Sequence, residues 1–429
     1  MAIYTLKPIT PLMVGRRHET LELFLDAWLI PSIIFDAIHA SLYRAFPEVQ
    51  LWEHLHSYGR NNKYPNPTER LQRFGSLRTS GLFPAFRIAD GFQTFFSTPK
   101  DHRLTDGYIQ RFVPTVDFPG KCNIPSPLKF PMITAEKINT SKSSIQWMSK
   151  HSIEKWLNNK QLSESDFKSS EDFFVHEQGF THPNLSSGKA LAIKFHVRFH
   201  DYVSLITEAS MPMKTGTDGL DYLVKNSGQK ITVGGYDSQF IITKDLSRSL
   251  SELLPVGPTI EGNRVKWLLL TPAIFIKLHR ANDRQVFEYP GGWLPSWIDP
   301  QTGQVMLKKE VPVRTSAMTR AQWRSKIKSI EKIDCRLVAA CVGVPVIITG
   351  WSNRRHLTIY EAEKKPGFKK EYYAVPAGSI YYFEGPDAPI LATVLSWHGL
   401  EYSNVSEIKN RRSGILGEKG FGIGVCGPW

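Results

Sequence analysis

The chain has 429 residues, roughly three times the ~150 residues of a common domain, so two domains of about 200 residues are the economical expectation. Lys and Arg number 53 against 40 Asp and Glu, and this net charge of +13, spread along the chain, points to a polyanionic partner. With 41% hydrophobic and 12% aromatic residues, an intrinsically disordered chain is excluded, because enough apolar surface is present to offset the entropy of ordering.

The most apolar windows, VKWLLLTPAIFIKL from 265 and LVAACVGVPVIITGW from 337, are broken by Lys, Pro or Gly and fall short of a ~20-residue membrane span. The start, MAIYTLKPITPLMVGRR, lacks a basic region ahead of an apolar core, so a cytoplasmic protein without membrane association is expected. Cys122, Cys335, Cys341 and Cys426 form no C-x-x-C pair and read as reduced structural thiols; neither a metal nor a cofactor is indicated.

In chain order, IYTLKPITPLMV reads as a strand, followed by a loop with Arg16, Arg17 and His18. A helix follows in PSIIFDAIHASLYRAF, where Pro31 suits the first turn and Ile34, Ala37, Ile38, Leu42 and Ala45 recur at helical spacing. Strand, loop and helix open a ferredoxin-like unit. From about 60 to 190 the pattern dissolves into Pro, Asn, Ser and Lys runs, which reads as a functional insertion with a short helix near HSIEKWLNN. ALAIKFHVRFHDYVSLI then alternates, with Ile193, Phe195, Val197 and Phe199 on one side and Lys194, His196, Arg198 and His200 on the other.

The second half opens with a strand at VKWLLLTPAIF. Residues 308–328 hold Lys308, Lys309, Arg314, Arg320, Arg324, Lys326 and Lys328 against Glu310 alone, either a solvated helix face or a nucleic-acid surface near which Trp293, Trp297, Trp323 and Trp351 could stack on unpaired bases, although most large aromatics are core. Strands follow at CRLVAACVGVPVIITGW and GSIYYFEG.

The end of the chain carries Gly417, Gly420, Gly422, Gly424 and Gly427 around Lys419 and Phe421, just after Arg411 and Arg412. Closely spaced glycines let the backbone approach a ligand, and their amides can cradle a phosphate. A glycine-rich turn before a final strand is the alternative. GFGIG is no dinucleotide fingerprint, since no βαβ unit follows, and G-x-x-x-x-G-K-[ST] is absent. His196 and His200 lie on a period-two pattern without further ligands, which argues against zinc. His39, His182 and His356 are candidate general bases for metal-free RNA cleavage, but none has a paired acid–base partner in the sequence.

Five stretches together resemble one family, the type III-B CRISPR-associated RAMP subunit of the Cmr complex, third in the Cmr naming. They are PSIIFDAIHASL at 31–42, SGLFPAFRIADGFQTFFSTPKD at 80–101, HEQGFTHPNLSSGKALAIKFHVRF at 176–199, AVPAGSIYYFEG at 374–385 and LGEKGFGIGVCG at 416–427. The helix departs from the family pattern with Asp36 in place of a usual glycine and His39 in place of a frequent arginine.

The resemblance implies an α+β chain of two ferredoxin-like (RRM/RAMP) domains. The first would span 1–260 with an insertion or thumb around 60–190, and the second 261–429 with the glycine-rich loop at 416–427. It implies a non-catalytic subunit that binds the crRNA 5′ tag, lies near target RNA, and adjoins the large polymerase-like subunit and a backbone RAMP subunit. The expected RNA-binding set is Arg16, Arg17, Lys189, Arg198, Arg411, Arg412, Gly417, Lys419, Gly420, Phe421 and Gly422, with the segment near 176–190 wedged between guide and target. The alternative is a metal-independent CRISPR repeat endoribonuclease of the same superfamily.

Overall fold

A computed structural model describes residues 2–17, 30–45, 77–120, 122–134, 146–182, 192–211, 218–224, 229–233, 238–245, 248–281, 284–310, 318–348, 351–352, 367–368, 371–399 and 408–429. The architecture is mixed α and β, with two principal sheets.

The first half contains β1 (Ala2–Pro8), β2 (Leu12–Arg17), helix α1 (Ser32–Ala45), β3 (Phe83–Ile88), β4 (Gly91–Ser97), β5 (Gln146–Ser149), helix α2 (Lys150–Leu157) and β6 (Phe167–Ser169). It continues with β7 (Phe174–His182), β8 (Ala192–Phe199), β9 (Val203–Ser210), β10 (Gln229–Thr232) and β11 (Gln239–Asp245). The large sheet runs β6-β5-β4-β3-β9-β1-β11-β10, every pairing antiparallel. Its four central strands, β3-β9-β1-β11, therefore lie in the chain order second, third, first, fourth.

The helix expected over the PSIIFDAIHASL stretch is α1. Ile34, Phe35, Ala37, Ile38 and Leu42 are buried with Tyr4 and Leu6 of β1 and Leu205 of β9, because i, i+3 and i+4 side chains form one stripe facing the sheet. Ile3, Ala85 and Ile206 point to the opposite face and pack with Leu253.

The stretch read as an insertion supplies much of this sheet. β3 and β4 pair tightly, β5 and β6 extend the edge, and the short helix expected near HSIEKWLNN is α2, N-capped by the Ser149 hydroxyl accepting from the Ser152 amide. Residues 46–76 and 135–145, which include part of its Pro, Asn, Ser and Lys runs, lie outside the described ones.

The second sheet is built from β12 (Arg264–Leu269), β13 (Arg336–Cys341), β14 (Ile380–Glu384) and β15 (Gly424–Gly427), in the order β13-β14-β12-β15 and again antiparallel. This too is second, third, first, fourth. Helix α3 (Arg320–Ser329) lies between β12 and β13 in the chain, and helix α4 (Ala388–Leu395) between β14 and β15. α4 buries Ala388, Leu391, Ala392 and Leu395 with Trp267, Tyr381 and Phe383 on one face of the second sheet. The other face, with Leu268, Ile380, Tyr382 and Val425, shares a core with Phe83, Phe96, Met148 and Trp156 of the first half. The two sheets are thus joined through one continuous apolar cluster around α2. No described helix is long and apolar enough to cross a membrane.

Candidate nucleic-acid interface

Two regions hold the residues of the expected RNA-binding set. The first is a small antiparallel sheet in the order β7-β8-β2. The alternation expected around residue 195 is strand β8, with Val197 and Phe199 buried and Arg198 exposed between them. In this register Arg17 stands opposite Ala192 and Arg16 opposite Ile193, whereas Arg198 pairs with Val175 at the far end of the ribbon. Arg16 and Arg17 therefore stand at the same end as the connection 183–191, which carries Lys189 and lies outside the described residues. His200 closes the base of the ribbon, its Nε2 2.8 Å from the Glu171 carbonyl and its ring stacked on Tyr202.

The second region is the C-terminal glycine segment, and its geometry is that of a clasp. Residues 417–419 form a single 3₁₀ turn between Leu416 and Gly420, both in the left-handed region, and β15 follows as the last strand. The amides of Lys419 and Gly420 donate to the carbonyls of Leu416 and Gly417, that of Gly422 to Pro272, and that of Ile423 to the Thr271 hydroxyl. These donors are spent inside the chain.

Gly420, at φ +95°, lies against the backbone of Ser80 and Gly81, where a Cβ would overlap the Gly81 nitrogen. The Thr79 hydroxyl donates to the Lys419 carbonyl at 3.1 Å, and Arg411 donates to the Thr79 carbonyl at 3.3 Å. Lys419 itself is buried: its Nζ is 2.7 Å from the Asp36 carboxylate of α1 and 4.7 Å from the Phe35 ring centroid. Asp36, the departure from the family helix, is thus the partner of the loop lysine. Phe421 is fully buried with Ile274, Ile276 and Leu416. Arg412 donates from Nε and one terminal nitrogen to the Val394 carbonyl in the last turn of α4, and burial pulls its guanidinium down to about 10. Gly417 sits beside the Arg411 side chain, with ordinary contact for a Cβ.

A polar group that the sequence did not announce completes the seam. Asp101, 4% exposed, accepts from Trp156 Nε1 at 3.1 Å and Tyr382 Oη at 2.7 Å, and its carboxylate is 2.7 Å from His102 Nδ1. Beside it Lys266 donates to the Trp156 carbonyl and the Asn159 side chain, and desolvation pushes its amine down to about 7. The signal available in the sequence was indirect: Asp101 ends the 80–101 stretch and Tyr382 lies inside 374–385. Four of the five resemblance stretches are linked by contacts of this kind: Asp101 and the Lys100 amide, which donates to the Gly378 carbonyl, join 80–101 to 374–385, and Gly81 at the other end of the same stretch touches Pro31 and Gly420.

Of the histidines considered as bases, His39 stacks on Phe35 within α1; the His182 side chain and His356 lie outside the described residues. No group of three His, Cys, Asp or Glu able to hold a metal occurs among the described residues.

A family model described as CRISPR-associated protein (Cas_Cmr3) matches residues 57–429, and the chain belongs to that family. Among solved structures, a chain of "Cryo-EM structure of the Type III-B Cmr-beta bound to cognate target RNA and AMPPnP, state 1" is similar at 11% identity over 89% of this chain and 86% of that one, with a TM-score of 0.37. A chain of the "Csm3-Csm4 subcomplex in the type III-A CRISPR-Cas interference complex" shares 11% identity over 90% and 94%, with a TM-score of 0.34. A Cas6-related protein from Pyrococcus furiosus shares 10% identity over 60% and 80%, with a TM-score of 0.20. None of the curated proteins compared with the chain matches it.

Proposed function

We propose that this chain is the non-catalytic crRNA-binding subunit of a type III-B Cmr effector complex, anchoring the crRNA 5′ tag and docking the large polymerase-like subunit and a backbone RAMP subunit. Both halves are ferredoxin-like: each has the strand order second, third, first, fourth of the split βαβ arrangement, with α1 and α4 in helix positions of that pattern. The domain division falls near residue 260, and the β7–β8 ribbon is the thumb.

The observation that carries the reading is the register that gathers Arg16 and Arg17 at the tip end of the ribbon, next to the segment holding Lys189. Arginines there would hold phosphates bidentately and fix the RNA register, while the ribbon tip would separate guide from target. The glycine clasp supports this indirectly, by fixing the first half against the second. Within this reading Arg411, Arg412 and Lys419 serve the clasp, through the Thr79 carbonyl, the Val394 carbonyl and Asp36.

Replacing Arg16 and Arg17 together by Ala should weaken binding of RNA bearing the 5′ tag about tenfold or more and lower its salt dependence, with little change for the same RNA lacking the tag. Equal affinity of wild type and variant for tagged RNA would overturn the anchoring role. Site-specific cleavage of repeat RNA by the purified chain in EDTA would overturn the non-catalytic one.

A further inference from the structure

Helix α3 is not used by the tag site, and its composition asks for an explanation. It is ten residues long and none of its side chains is buried. A short helix without tertiary burial is marginal in water, and this one is held chiefly by its N-cap: the Thr319 hydroxyl accepts from the Gln322 amide while the Gln322 side chain accepts from Thr319.

Its charges then work against it. Arg320, Arg324 and Lys328 follow at i, i+4 and i+8, so like charges stack on one face, where each pair destabilises the helix. A merely solvated helix would intersperse acids. Glu331, two residues past the helix, is engaged by Lys309, and among the described residues no ion pair neutralises Arg320, Arg324 or Lys328. Beside this row, Trp323 and Ile327 make a second i, i+4 pair, only partly covered. The helix thus presents a ladder of three cations about 6 Å apart along its axis, flanked by an indole.

We infer that this face of α3 is a second RNA-docking surface, taking an unpaired strand whose successive phosphates lie along Arg320, Arg324 and Lys328 while a base stacks on Trp323. Charge complementarity selects a polyanion, and the adjoining aromatic selects unpaired bases over a duplex, whose bases are stacked away. The inference rests on the chain being an RNA binder but not on the position of the tag site.

Ala is the best helix former, so R320A/R324A/K328A keeps the helix and removes only the ladder; an unchanged circular dichroism spectrum and melting temperature verify this. On full-length chain with a single-stranded oligonucleotide lacking the tag, three lost phosphate contacts should reduce the slope of log affinity against log salt by about 2 and weaken binding at 0.15 M salt on the order of tenfold. Trp323→Leu should weaken the single strand and leave a duplex of equal length unaffected. A wild-type salt slope in the triple variant, with tag discrimination still lost in the Arg16/Arg17 variant, overturns this inference and leaves the proposed function standing. Loss for single strand and duplex alike, with no effect of Trp323→Leu, overturns the assignment to an unpaired strand.

Discussion

The most consequential single side chain is Lys266. It was expected only as part of a strand, and the strand does form, but period-two alternation sends its amine toward α2 and into the seam, where it is 3% exposed and lies 3.9 Å above the Trp156 ring. Desolvation lowers its pKa from 10.5 to about 7, outweighing the attraction of Asp101. Between those values the unfolded chain holds a proton that the folded chain has released, so stability rises as pH climbs from 7 toward 10.5 and is lost as pH falls back through that window. Below pH 7 both states carry the proton and the contribution is flat. Chemical denaturation at pH 7 and pH 9 should show the wild type gaining about 2–3 kcal/mol relative to Lys266→Met over the same interval. A variant whose stability climbs as steeply as that of the wild type would show that Lys266 keeps its proton in the fold.

Among the elements, the glycine segment shows what sequence can and cannot deliver. Positive φ and close backbone approach were legible from the spacing of Gly417, Gly420, Gly422 and Gly424, and both occur. What approaches was not legible, because the partner of Gly420 is the Ser80–Gly81 backbone some 340 positions away in the chain, a separation comparable to that of the Thr79–Lys419 hydrogen bond. α1 was readable because its stripe is local, and β8 because alternation is local. The Lys419–Asp36 pair was not, because the two residues stand 383 positions apart in the chain. A clasp makes its own prediction: Gly420→Ala, forced to φ +95° and against Gly81, should lower stability of the RNA-free protein by about 1–3 kcal/mol in a thermal or denaturant melt. A loop whose glycines served only a ligand would leave the free protein's melt unchanged.

At the scale of the whole molecule, the proposed division near residue 260 falls between the larger sheet, whose four central strands run second, third, first, fourth, and the four-stranded sheet of the same order, yet the core does not respect it. Phe83, Phe96, Met148 and Trp156 are buried in the same cluster as Leu268, Val338, Ile380, Trp397 and Val425, and the Asp101–Tyr382 bond and the Lys419–Asp36 pair cross the same boundary. Domains that merely touch through a polar surface open independently, whereas halves that share a dry core must expose it together. Leu268 is fully buried on the seam face of β12, so Leu268→Ala should cost about 2–5 kcal/mol. If the halves form one cooperative unit, hydrogen exchange should find that loss not only in the second sheet but, undiminished, at the amides of β3 and β9 in the first. Protection of β3 and β9 unchanged in the variant would mean that the first sheet opens by itself, and the shared cluster would then be a contact between independent domains. The distinction bears on the proposed function, because a rigid seam would transmit the position of RNA bound at the ribbon to a partner docked on the second half, and a loose one would not.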